Sequence, residues 1–387
     1  MAIAPKQLVL VFVMLFMGTL NTITRKTSFD SLARGYYNHS ANGTRTEHSF
    51  NKPWFQTFTM FLGEIQCFLV YVIWNCRKRL TKKQLKVQVP LEEFMMKPIE
   101  EKKVPLMNWV FLPLAICDLL ATIVSGVGLL YIDASVWQIM RGSLIIFAGI
   151  LSVVVLKRKL RCFHWTGMLI TMCGLVLVGA KSVFGGQSVR YTPSQSAVGV
   201  VLVLFGAFTS AAQMIVEEIY LQRRGYHPLQ AVGTEGIFGT VFMLLFALPV
   251  VHFIPGSDLN GSYENIADAL FQLGSNAVLL VNAILYLISM AWFNYCGFCV
   301  ARDLSTVHRT LVDALRTAFV WVVSLILYYT AGHQFGEPFE ISWGLIELNG
   351  FALLVIGTLI YNQVMDLSFI PVCQKQLGAK PDSEQMS

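Results

Sequence analysis

Charge is scarce in this 387-residue chain: Asp, Glu, Lys and Arg together make up 13% of it, about half the share in an ordinary globular protein. That deficit excludes a disordered chain, a coiled coil and a soluble enzyme of the usual kind. There is no glycine-rich phosphate loop and no cluster of His, Cys or carboxylates at metal-ligand spacing, so neither a cofactor nor a metal is expected. None of the eight cysteines lies in the large loops read below as facing away from the cytosol, so structural disulfides are not expected. Cys296 and Cys299 form a Cys-x-x-Cys inside an apolar run without His or Cys partners, a setting for helix packing rather than redox chemistry. His308 and Asp313 have the spacing of an acyltransferase pair. Five residues turn a helix by about 500°, however, and put the two on different faces. No enzyme is expected.

What is present is apolar: 55% of residues are hydrophobic, and the mean hydropathy is +0.58. Ten long apolar runs follow one another at 7–24, 54–74, 109–131, 134–156, 163–182, 197–221, 229–254, 275–300, 305–330 and 343–364. A spanning helix needs about 20 such residues, and lipid admits only helices or closed barrels. The expected fold is therefore an all-α polytopic membrane protein with ten spans, the first retained rather than cleaved as a signal. With a cytosolic N-terminus, the cytosolic segments hold 19 Lys and Arg and the opposite side holds 7. This bias favours both termini in the cytosol. The triplets beginning at Asn38, Asn42 and Asn260 have the glycosylation form, and all fall on the far side, as a glycoprotein would require. Nine of the basic residues lie in 75–108, read as a cytosolic loop.

The chain also repeats itself. Pro53 and Pro228 open spans two and seven, and Gln138-x-x-Arg141 in span four matches Asp313-x-x-Arg316 in span nine, both at a separation of 175. Gly167 and Gly174 match Gly350 and Gly357 at 183. Each unit has an odd number of spans, so the second enters the membrane upside down. Residues 6–184 and 197–364 are thus expected to form two inverted five-helix repeats, with 365–387 as a cytosolic tail. Such repeats are a recurring design of secondary transporters. A small solute, lipid surroundings and no nucleic acid follow as the expected partners.

Charges inside spans cost about 2.5–3.5 kcal/mol on insertion scales and mark functional candidates. Seven acids and three bases fall there. Glu217, Glu218, Glu347 and Arg309 lie close enough to span ends to be read as solvated, the first two within reach of Arg223 or Arg224. Glu64, Asp118, Arg141, Glu235, Asp313 and Arg316 remain as candidates for solute binding or coupling, with Gln138, Gln213, Asn282 and Asn294 as uncharged companions. Gln138 and Arg141 share one helical face, as do Asp313 and Arg316. The latter two can form an intrahelical ion pair. Glu64 and Asp118 sit near mid-depth, where a carboxyl could bind a cation or exchange a proton. The acidic surplus favours a small cationic or zwitterionic solute.

Several runs have a familiar form: Phe61-Leu62-Gly63-Glu64, Gln138-Ile139-Met140-Arg141-Gly142, Leu229-Gln230-Ala231-Val232-Gly233-Thr234-Glu235-Gly236, Leu311-Val312-Asp313-Ala314-Leu315-Arg316-Thr317 and Gly357-Thr358-Leu359-Ile360-Tyr361-Asn362. They resemble the drug/metabolite transporter superfamily, in particular the F subfamily of solute carrier family 35. The resemblance implies ten helices, transport by alternating access and a lysosomal membrane, with mitochondrial or Golgi membranes as alternatives. It also implies an adenine nucleotide translocase as a partner, and with it a second reading, a membrane scaffold of the same fold acting through partners. It implies no substrate. The 75–105 segment is longer and more basic than the family pattern.

Overall fold

A bilayer core offers no water to a backbone amide, so each spanning segment must pair its own N–H and C=O groups. The computed structural model describes residues 5–36, 47–88, 108–129, 131, 140–184, 193–256, 258, 261–330, 341–362 and 364. In chain order its helices are α1 (Pro5–Asp30), α2 (Pro53–Gln88), α3 (Leu112–Leu129), α4 (Leu144–Val154), α5 (Cys162–Phe184) and α6 (Pro193–Gln222). They continue with α7 (Pro228–Phe253), α8 (Ile266–Ser275), α9 (Ala277–Asp303), α10 (Thr306–Thr330) and α11 (Ile341–Tyr361). Among the described residues, eight helices are long and apolar enough to cross a membrane, and two shorter apolar ones, Met140–Val154 and Cys162–Val178, stand where the fourth and fifth runs were expected. The chain is a multi-pass, predominantly helical membrane protein.

Local chemistry explains the ends and the irregularities. His227 accepts the Leu229 N–H ahead of Pro228, which opens α7 without needing a donor of its own. Within α7, Met243–Ala247 widens into a π turn. Pro249 follows it, and a wider turn accommodates the ring and the missing N–H. Three features depart from the sequence reading. First, α2 does not stop near residue 74 but runs on to Gln88, because residues 75–88 are mostly good helix formers with no Gly or Pro to halt them. Second, a two-stranded antiparallel ribbon pairs β1 (Leu32–Arg34) with β2 (Glu47–Ser49), Ala33 opposite His48. Third, α8 lies outside the apolar runs, with the Asn265 side chain capping Asp268 N–H. The glycosylation-type Asn38, Asn42 and Asn260, together with Gln138, lie outside the described residues.

The chain divides into two compact units, each drawn from both halves of the sequence. The first comprises residues 1–23, 116–225 and 296–387, and the second 24–115 and 226–295. In the first, α5 and α11 touch backbone to backbone. A methyl group added to Gly174 would stand 2.7 Å from the Gly350 carbonyl oxygen, and one on Gly167 2.7 Å from that of Gly357. These contacts run in opposite chain directions, so the two helices are antiparallel. Leu144, Ile145, Met168, Ala211, Leu311 and Leu354 close the core around them. In the second unit α2 and α7 pack the same way: a methyl on Gly236 would meet Glu64 Cβ at 2.5 Å, and one on Gly239 would strike the Phe61 ring. Ala33, Phe50, Phe55, Ala269 and Leu279 form a smaller core where the ribbon and α8 meet the start of α2.

Small-residue faces let helices approach where lipid supplies no hydrophobic drive between them. Gly174→Ala should therefore part α5 from α11 at a cost of about 1–3 kcal/mol, lowering the melting temperature of the detergent-solubilised protein. Gly126→Ala, where an added methyl meets nothing within 4 Å, is the control and should leave it unchanged.

Candidate functional site

In the first unit, α6 places Gln213 and Glu217 one turn apart on the same face. The Gln213 amide donates to Glu217 Oε1 at 2.9 Å, and Arg309 Nη1 on α10 donates to Glu217 Oε2 at 2.7 Å. Gln213 also lies beside the carboxyl of Asp118 on α3, and Arg141 lies close enough to act on that carboxyl. The result is a chain of polar groups, Asp118–Gln213–Glu217–Arg309, crossing three helices. Gly297 makes room for it: a methyl there would lie 2.8 Å from Arg309 Nε. The guanidinium is further covered by the Phe298 ring at 5.0 Å. Next along α6, Glu218 pairs with Arg158 at 2.5 Å and accepts the Thr306 N–H that opens α10 at 2.8 Å, an anion at a helix N-terminus.

The expectation of solvated helix ends is corrected here. Glu217 and Glu218 are 2% and 0% exposed and Arg309 is 8% exposed. The two acids meet Arg309 and Arg158, residues far away in sequence, rather than Arg223 or Arg224. Glu347 is buried as well, accepting the Trp321 indole N–H at 2.8 Å. The signal available in the sequence was the Gln213/Glu217 spacing and the adjacency of two acids in an apolar run. Nothing local identified their partners.

The other candidates separate. Arg316 Nε lies 3.0 Å from Asp313 Oδ1, an ion pair within one turn, and its Nη1 reaches Thr22 Oγ1 of α1 at 3.3 Å. Arg141 is exposed at the start of the α4 region. Glu64, Glu235, Asn282 and Asn294 belong to the second unit. There the Asn294 amide donates to the buried Glu64 at 2.5 Å, Glu235 is buried on α7, and the buried Asn282 amide nitrogen meets no acceptor among the described residues.

A second polar cluster in that unit lies outside the spans. Lys52, 1% exposed, bonds both Asp258 and Asp268. Asp268 also accepts from Tyr36 N–H and bonds His48, while Gln272 bonds His48. His48, Asp258 and Asp268 bring three ligand atoms within 4.8 Å of one another, but the Lys52 ammonium already supplies the positive charge a metal would bring. Glu264 accepts the Trp54 and Phe55 N–H groups at the start of α2. Burial pushes its carboxyl up to about 7, against the pull of those two donors and Lys52. Burial also pushes Asp268 upward, but Tyr36 N–H, Lys52 and His48 outweigh it and hold the carboxyl below its usual range.

Comparison with known proteins places these features in context. A sequence model described as "Nucleotide-sugar transporter" matches residues 33–224. "Solute carrier family 35 member F6" of Homo sapiens is 33% identical over 94% of this chain and 90% of its own length. An uncharacterized protein of Schizosaccharomyces pombe is 28% identical over 92% of this chain and 98% of its own. One solved crystal structure covers 93% of this chain and 97% of its own with a TM-score of 0.56 at 12% identity, a likeness of fold.

Two predictions follow from the geometry. Removing Arg309 alone (Arg309→Met) strands a buried carboxylate and should cost about 3–5 kcal/mol. Glu217→Met on top of it should recover much of that loss, as a double-mutant cycle of melting temperatures would register. For Glu264, a folded-state carboxyl near 7 against an unfolded one near the ordinary value means that the folded state binds more protons between those limits. The ribbon region should therefore lose stability as pH rises from about 4.5 to 7. Hydrogen exchange of the ribbon amides should show this slope, and Glu264→Gln should flatten it.

Proposed function

The chain belongs to the F subfamily of solute carrier family 35, and on that premise we propose that it is a secondary-active carrier whose ten spans form two inverted five-helix repeats working by alternating access. It is a solute transporter of the drug/metabolite transporter type and not an enzyme. The observation that carries the finer reading is the reciprocity of the glycine contacts. Gly167 and Gly174 repeat as Gly350 and Gly357; Gly167 meets Gly357 while Gly174 meets Gly350. Each residue touches the counterpart of its neighbour, which is what a two-fold axis requires. The pairs Gly236–Glu64 and Gly239–Phe61 obey the same rule at the separation of 175. An axis of this kind in the membrane plane makes the two facing states near-equivalent.

The solute we favour is small and cationic or zwitterionic. Of the three arginines inside the apolar runs, Arg309 and Arg316 are committed to carboxylates, and acids outnumber bases there seven to three, an excess that disfavours the diphosphate that the matching family description would suggest. Asp118, at the α3 end of the polar chain, is the proposed point of proton exchange. Both termini are read as cytosolic and the lysosomal membrane as the site of action, with the far-side Asn38, Asn42 and Asn260 as glycosylation acceptors.

The test is solute flux into proteoliposomes for a panel that includes organic cations, amino acids and nucleotide sugars, with and without a pH gradient. Flux of a cationic or zwitterionic solute, stimulated by the gradient and losing that stimulation in Asp118→Asn, is the expected result. An unchanged pH profile in Asp118→Asn would remove its coupling role. Flux of none of the panel, together with retention of an adenine nucleotide translocase, would replace the carrier by a scaffold.

A further inference from the structure

The continuation of α2 has no part in the carrier reading. The helix has 36 residues and is about 54 Å long, whereas a hydrocarbon core is about 30 Å thick. Its register against α7 shows where it leaves the membrane. Gly233 packs on Phe68, and six residues further along α2 the Trp74 ring lies 5.0 Å from that of His227, the residue just before α7 begins. Tyr71 joins this stack at 5.6 Å, and Lys78 Nζ lies 5.4 Å from the Trp74 ring. Trp and Tyr with a neighbouring Lys are the side chains that settle at headgroup level, so the cluster marks the interface. Past Lys78, α2 continues for ten more residues, to Gln88.

Those residues are basic and contain no acid. From residue 75 to residue 91 the chain has Arg77, Lys78, Arg79, Lys82, Lys83 and Lys86 and neither Asp nor Glu. In the sequence Arg79, Lys82, Lys83 and Lys86 recur at i, i+3, i+4 and i+7, the spacing of a helical stripe. Lys86 stands about 12 Å along the axis from Lys78, comparable with a Debye length of about 8–10 Å, so all four feel the surface potential of the leaflet they emerge from.

We propose that the basic continuation of α2, with the Trp74–His227 stack as its floor, binds the anionic headgroups of that leaflet. Charge complementarity, the depth set by the aromatic cluster and attachment to the same membrane all favour lipid over a soluble acidic partner. Juxtamembrane basic clusters of this size hold anionic lipid through additive, salt-sensitive attraction.

The test uses the full chain in neutral mixed micelles, titrated with fluorescent short-chain phosphatidylserine and phosphatidylinositol bisphosphate. Arg79→Gln/Lys82→Gln/Lys83→Gln/Lys86→Gln should weaken binding on the order of a thousandfold. The Lys82→Gln/Lys83→Gln pair, a milder change that guards against misfolding, should weaken it about thirtyfold. Raising the salt to 1 M should weaken wild type far more than the quadruple variant. Equal affinities for wild type and both variants would overturn the proposal. So would tighter binding of free inositol phosphates or of an acidic peptide than of the lipids.

Discussion

Helices in lipid gain nothing by hiding apolar side chains from one another, since the acyl chains are as apolar as leucine. Association has to come from dispersion contacts and hydrogen bonds, and both fall away steeply with distance. The glycine contacts of α5 with α11 and of α2 with α7 meet this constraint by removing the side chains that would keep backbones apart. Each glycine costs a helix about 1 kcal/mol relative to alanine, a cost that only intimate contact can offset. The rest of the first unit leans on that contact: Met168 of α5, Leu354 of α11 and Leu311 of α10 belong to one core. Leu311 in turn fixes the helix that presents Arg309 and Asp313.

With the backbones held, the buried charges acquire defined partners. Two long side chains in hydrocarbon would otherwise seek water, and a carboxylate left alone there would be neutralised. Glu217 is instead held from two sides, by an amide one turn away and by a guanidinium on another helix. That guanidinium fits because residue 297 lacks a side chain. Glu218 serves differently, closing the N-terminus of α10 and holding Arg158. Two adjacent acids on α6 thus anchor two separate segments, and the polar chain to Asp118 hangs from the first of them.

The eight helices long and apolar enough to span were legible in the sequence because hydropathy over twenty residues is a bulk property that tertiary contacts barely alter. The intrahelical Asp313–Arg316 pair was legible for the same reason, being local. Depth was not. Arg309 is only a few residues into its run, and counting from the end made it solvated, whereas Glu217, Gly297 and Phe298 bury it from other helices. The partners of Glu217 and Glu218 lie 92 and 60 positions away, and no spacing rule reaches that far. The end of α2 was missed because hydropathy reports where a span stops, not where a helix does. The ribbon and α8 were missed because three-residue strands and a ten-residue amphipathic helix are shorter than any window that reads a span.

Backbone and charge follow different rules across the two halves. Of the residues that set helix separation, Gly167 and Gly174 return as glycines at 350 and 357. Of the intramembrane charges, Arg141 returns as Arg316, but the others do not. At the separation of 175, Glu64 corresponds to Gly239, Glu235 to Met60 and Arg309 to Ala134. Strict symmetry in both respects would give two facing states of equal energy and equal affinity, and a solute shifts an equilibrium only through a difference in affinity between its states. On the carrier reading, any directional preference or coupling must therefore reside in the residues that break the repeat. On that same reading, the repeated contacts supply a scaffold able to face either way, and Glu64, Glu235, Arg309 and the polar chain reached through Arg309 supply the difference between the two.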